Sequence, residues 1–88
     1  MNVEFAERFY KDLDALKEKK LKKKIAEVID ECKNARLLVE VRNVKKLEGY
    51  KSYYRIRVGD YRIGIELDGE RLMFLRIANR KDIYKIFP

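Results

Sequence analysis

Val3 and Phe5 alternate with Asn2 and Glu4, the period of a short strand. From Glu7 onward the period lengthens. Phe9, Leu13 and Leu16 recur at i, i+4 and i+7, one face of a helix. Leu21, Ile25, Val28, Ile29 and Cys32 form a cleaner helical stripe. Glu18–Lys20 separates the two stripes without Gly or Pro. One helix over both would be too long to pack on so small a chain. The pattern therefore predicts two helices folded back on each other. Cys32 completes the second stripe and reads as a core residue.

Asn34–Arg36 ends the second helix, Leu37–Val44 leans towards strand, and Leu47-Glu48-Gly49 reads as a turn. Period-two alternation then takes over. Tyr53–Val58 puts Tyr54, Ile56 and Val58 on one face, and Tyr53, Arg55 and Arg57 on the other. Tyr61–Leu67 puts Tyr61, Ile63, Ile65 and Leu67 against Arg62, Gly64 and Glu66. In Arg71–Ile77, Met73, Leu75 and Ile77 oppose Leu72, Phe74 and Arg76. Gly59-Asp60 suits a type II′ hairpin turn and Asp68-Gly69 a type I′ turn. Three such strands make an antiparallel meander, whose apolar face the helices cover.

Length and composition narrow the classes. The 88 residues allow one domain, 1–88, with a modest core and no large substrate pocket. There is no histidine, which excludes a His-centred triad, a His metal site and a His general base. One cysteine excludes an internal disulfide and a Cys-cluster zinc site. The longest apolar run, Leu72–Leu75, is far too short to span a membrane, and the first ten residues carry Glu4, Glu7 and Arg8, unlike a signal peptide. A cytoplasmic protein is expected. The chain lacks Gln, Thr and Trp but holds 13 Lys, a composition that leans thermophilic.

The net charge of +7 is unevenly spread: residues 1–41 carry 10 basic and 9 acidic side chains, residues 42–88 carry 12 and 6. Six lysines crowd into Lys17–Lys24, whereas six of the nine arginines lie between Arg55 and Arg80. Lysine on a helix is usually a solvated face. Arginine's planar fork of donors suits phosphate oxygens, and it stacks on rings. The polar sheet face gathers Tyr53, Arg55, Arg57, Arg62, Gly64 and Arg76, with Arg80 and Tyr84 just beyond the last strand. Such an array can bind polyanions and stabilise a pentacoordinate phosphate while the tyrosine stacks a base. The plainer reading is a solvent-facing sheet surface, partly neutralised by cross-strand pairs such as Arg57 with Glu66.

The run Leu47–Ile63 (LEGYKSYYRIRVGDYRI), followed by Asn79-Arg80-Lys81-Asp82-Ile83-Tyr84, closely resembles the RelE/ParE superfamily of type II toxins. The resemblance implies an α+β fold: an N-terminal helical hairpin packed on one face of a curved antiparallel sheet of about four strands, then a short C-terminal segment. It implies a ribosome-dependent mRNA endonuclease that needs no cofactor or metal. In the family the ribose 2′-OH attacks the adjacent phosphate. The implied partners are a RelB-like antitoxin, in a toxin–antitoxin hetero-oligomer, and the ribosome with its mRNA; no membrane is involved.

Matched residue by residue, the resemblance implies catalytic roles for Arg57, Arg62, Arg80 and Tyr84, and RNA binding by Lys51, Tyr53, Arg55 and Arg76. Arg55-x-Arg57 stands where the ribosome-dependent enzymes have two lysines. Arginine stays protonated, so Arg57 is a poor general base and Lys51 is the nearest alternative. Two other readings stay open: a ParE-like protein that inhibits DNA gyrase by binding it, and an inactive member that binds antitoxin as a corepressor. Retention of both Arg80 and Tyr84 favours the ribonuclease.

Overall fold

The computed structural model describes residues 1–88. In chain order it contains β1 (Asn2–Phe5), α1 (Glu7–Ala15), α2 (Lys19–Asn34), a 3-10 turn (Leu38–Glu40), β2 (Val44–Lys46), β3 (Tyr53–Val58), β4 (Tyr61–Asp68), β5 (Arg71–Asn79) and α3 (Ile83–Ile86). The helix break falls at Leu16–Glu18, as the stripes require. Each helix packs chiefly on the sheet, α1 along β5 and α2 across β1 and β3, rather than as a closely paired hairpin. The segment Leu37–Val44 is mostly a 3-10 turn and loop, with strand beginning at Val44. No helix is long and apolar enough to cross a membrane.

The sheet has five strands in the order β1-β5-β4-β3-β2, not four, and it is mixed. β1 runs parallel to β5 while every other pair is antiparallel. The short alternation at residues 2–5 announces a strand but says nothing of its neighbour. The crossover through α1, α2 and the meander is what makes the pairing parallel.

Ile56, Val58, Ile63, Ile65, Leu72, Phe74 and Ile77 face the helices, where they meet Phe9, Leu21, Ile25 and Cys32 in one core. Phe74 lies 5.3 Å from Phe5 and 5.5 Å from Phe9, an aromatic knot that joins β1, α1 and β5. Burial pushes the Cys32 thiol up to about 11, with the Glu31 charge adding and the terminal ammonium opposing. That suits a core residue and not a nucleophile.

β5 departs from strict alternation. Phe74 pairs with Ile65 but Arg76 pairs with Gly64, so Leu75 is an extra residue, a β-bulge. The bulge reverses parity. Leu72 and Phe74 are buried with Ile77, while Met73 lies opposite Glu66 on the other face. Period two holds on either side of a bulge, not through it. The turns also resolve differently. Val58 pairs with Tyr61 and Asp68 with Arg71, so the turn centres are Gly59-Asp60 and Gly69-Glu70. Gly59 and Gly69 both have φ near +60°, and neither Asp60 nor Glu70 is left-handed, so both turns are type II′.

Beyond the end of β1, Asp12 takes over as partner to the β5 edge. Its carboxylate accepts the Ile77 N–H at 2.9 Å and two Arg76 N–H bonds at 2.8 and 3.2 Å. The two side chains are 18% and 16% exposed. Asp12→Ala should strand both donors and cost about 2–3 kcal/mol, a little below a fully buried pair. Urea unfolding at unchanged slope would show the shift in midpoint. Unaltered stability would mean that water replaces the carboxylate at this edge.

Candidate active site

The face opposite the helices is built by strand register. Lys45 of β2 pairs with Arg55 of β3, and Arg57 of β3 pairs with Arg62 of β4. Glu66 lies opposite Tyr53 and accepts from the Ser52 hydroxyl at 3.4 Å, so the Arg57–Glu66 neutralisation does not occur. Two like-charged pairs therefore sit directly opposite one another, an arrangement that weakens a sheet. Together with Asn43, Val44 and Tyr84 these four cations line a cleft of about 340 Å³, and no carboxylate lines it.

Individual contacts orient the cations. Arg62 Nη1 donates to the carbonyls of Gly59 at 3.0 Å and Tyr61 at 2.9 Å. That tethers one nitrogen and leaves the remaining N–H groups without a protein partner. Arg57 Nη2 donates to Asn43 Oδ1 at 3.5 Å, a weak contact. The Arg55 guanidinium lies 4.6 Å above the centre of the Tyr84 ring, within cation–π range.

Tyr84 reaches the cleft because the chain reverses after β5. Arg80 N donates to the Asp60 carbonyl at 2.8 Å and Asp82 N to the Asn79 carbonyl at 2.9 Å, which turns the chain back across the face. α3 is then held by Ile83 and Phe87, both buried outside the main core. The Phe87 ring lies directly on Gly64, where an added Cβ would come within 2.6 Å of it. It also meets Tyr53 edge-on at 5.5 Å, and Tyr53 meets Tyr50 at 5.5 Å. The glycine in mid-strand thus admits an aromatic ring of the same chain. Tyr84 itself stays 70% exposed.

Hydrogen bonding from Arg55, then its charge, holds the Tyr84 phenol below its usual value, and Arg62 and Lys45 add to the effect. The stacked geometry makes the Arg55 charge the firmer part of that cause. Because the ionised form is favoured in the fold, phenolate should begin to appear below the ordinary value of 10.0. A phenolate absorbance titration should show this early component, and Tyr84→Phe should remove it. An early component that survives Tyr84→Phe would assign the shift elsewhere.

The structure brings Arg55, Arg57, Arg62 and Tyr84 together. Tyr53 lies beneath Phe87 as part of the packing that carries α3. Arg76 is on the same face but is held by Asp12. Arg80 and Lys51 are exposed and do not line the cleft. Sequence reasoning missed Lys45, Asn43 and Phe87. Lys45 follows Val44 in alternation and could have been placed by extending that strand two residues. Beyond Tyr84 the cleft continues into a second hollow of about 460 Å³, with Leu47, Tyr50 and Phe87 as its apolar wall.

This geometry can be compared with known proteins. Residues 3–84 match the family described as the ParE toxin of the type II toxin–antitoxin system, parDE. The chain is 46% identical to Toxin RelE3 of Methanocaldococcus jannaschii over 89 residues, covering 100% of both chains. Its fold superposes with a TM-score of 0.82 on the crystal structure of a RelB–RelE antitoxin–toxin complex from Methanococcus jannaschii, at 45% identity over 96% of this chain and 98% of that one. A second archaeal RelE–RelB complex, from Pyrococcus horikoshii, gives a TM-score of 0.73 at 26% identity, over 90% and 93% of the two chains. The carboxylate-free cationic cleft is thus carried by a type II toxin, and the chain belongs to the ParE toxin family, as a homologue of archaeal RelE toxins.

Proposed function

We propose that the protein is a ribosome-dependent mRNA endonuclease whose reaction takes place in the Arg55–Arg57–Arg62–Tyr84 cleft. The observation that carries this reading is the cleft's four cations with no carboxylate among its lining residues. Tyr84, exposed and backed by Arg55, offers a ring on which an unpaired base can stack. That fixes the neighbouring phosphodiester over Arg57 and Arg62. The ribose 2′-oxygen attacks phosphorus, the bond to the 5′-oxygen breaks, and the products are a 2′,3′-cyclic phosphate and a 5′-hydroxyl. The arginine forks stabilise the extra charge on the phosphate oxygens at the transition state.

Arg55, Arg57 and Arg62 cannot take the 2′-OH proton. Two lining groups can exchange a proton, Lys45 and Tyr84. Arg80, Lys51 and Arg76 lie outside the lining of the cleft. On this reading Arg80 has a role at the leaving oxygen, and Lys51 and Arg76 have a role in RNA binding beyond the cleft. No metal is assigned a step. An antitoxin of the RelB kind is the protein partner, since RelE relatives are seen in complex with RelB. An acidic segment would complement the net charge of +7.

Mapping RNA 5′ ends after induced expression tests the reading. Cuts should fall within translated codons, and the upstream fragments should end in cyclic phosphate. Strong growth arrest with intact mRNA would sink it. The ParE family match keeps gyrase inhibition as a second reading. Supercoiling activity that stays constant at saturating toxin would exclude that one.

A further inference from the structure

Lys24 sits at the end of the lysine run, and it alone among the lysines of that run lines a hollow adjoining the cleft. This hollow, of about 260 Å³, lies between α2 and the β3–β4 turn. Lys24, Arg42, Asn43, Arg57 and Gly59 line it, with Glu27 as the one acid. It shares Asn43 and Arg57 with the Tyr84 cleft, so the two are continuous. A line of cations runs from Lys45 and Arg55 through Arg62 and Arg57 to Arg42 and Lys24.

We infer that this hollow is a second phosphate-binding subsite, which holds the backbone of the RNA strand where it leaves the cleavage cleft. The inference rests on the ribonuclease reading above. Arg42 is anchored by its backbone N–H, which donates to Glu31 Oε2 at 3.0 Å, while its side chain is 85% exposed. The guanidinium's only carboxylate neighbour is Glu31 at 3.9 Å, a surface pair of little worth that a phosphate can replace. Lys24 is exposed and has no ion-pair partner. Asn43, at the junction, is the one non-glycine residue with positive φ, at 64°. Its carbonyl accepts from Arg57 N at 3.0 Å, which holds the junction in place. Such backbone positions gather at functional sites. No aromatic side chain lines the hollow, so it grips phosphates and reads no bases.

The test is binding of a nuclease-resistant 2′-O-methyl RNA, as a dodecamer and as a trinucleotide, across a series of salt concentrations. The Lys24→Ala/Arg42→Ala variant is compared with Lys11→Ala/Lys33→Ala, which removes the same charge away from the hollow. The salt slope for the dodecamer should fall by about 0.7 for each lost phosphate contact, so by about 1.4 in the subsite variant. The control should keep the wild-type slope, and the trinucleotide should bind all three proteins alike. Equal losses in the subsite variant and the control would overturn the inference, and so would equal losses for both RNA lengths. If the wild type cleaves no mRNA, the ribonuclease reading fails, and this inference falls with it. If it cleaves mRNA while the two variants bind alike, this inference alone fails.

Discussion

Arg62→Ala should lower the rate of mRNA cleavage by about 10²–10³-fold, the usual loss when one preorganised donor to a developing oxyanion is removed. The reason lies in how the side chain is held. Carbonyls of Gly59 and Tyr61 fix one guanidinium nitrogen from behind, and the other donors remain free for phosphate. The stability of the fold should change by no more than about 0.5 kcal/mol, as at other surface positions. Arg62 faces Arg57 across the strands, so its loss also relieves a like-charge pair. Arg62→Lys keeps the charge but loses the fork, and should recover only part of the rate. Single-turnover cleavage on programmed ribosomes, with a melting curve alongside, separates the two effects. An Arg62→Ala protein that cleaves at the wild-type rate would remove this cleft from the mechanism.

Gly64→Ala should act through packing alone. A Cβ there meets the Phe87 ring at 2.6 Å, and its nearest contacts include the ring carbon Cγ, close to the backbone. The ring cannot swing aside cheaply. Overpacking of this kind costs about 1–3 kcal/mol. The larger consequence is positional. Phe87 seats α3, and Tyr84 rides on α3 over Arg55. Cleavage should therefore fall although no group in the cleft has changed. The double variant Gly64→Ala/Phe87→Ala should melt no lower than Phe87→Ala alone, because the clash is gone. Strict additivity of the two losses would show that Gly64 acts through something other than the ring.

The strands of the meander and both long helices were legible because their signals are local. Side chains two apart share a strand face, and those three or four apart share a helix face, whatever the rest of the molecule does. The cationic face followed from the same rule, which is why Arg55, Arg57 and Arg62 could be grouped before any fold was known. Arg76 shows where that reasoning stops. It lies on the expected face, yet Asp12, 64 residues earlier in the chain, holds it. Lys45 was overlooked for the opposite reason: the strand read from the sequence stops at Val44, two residues short, and pairing with Arg55 is what puts Lys45 on the cationic face.

By itself the sequence determined the α+β class, the alternating faces, the +7 excess in the strand half and the family resemblance, all of which live in residue type and near-neighbour spacing. Tertiary structure decided what depends on distant parts of the chain meeting. It set β1 parallel against β5, let the Leu75 bulge reverse the core parity, and opposed like charges across β2, β3 and β4. It also laid Phe87 on Gly64, which turns a strand glycine and an apolar tail into the support for Tyr84. Register and long-range packing are settled by the free energy of the whole assembly, so no local pattern encodes them.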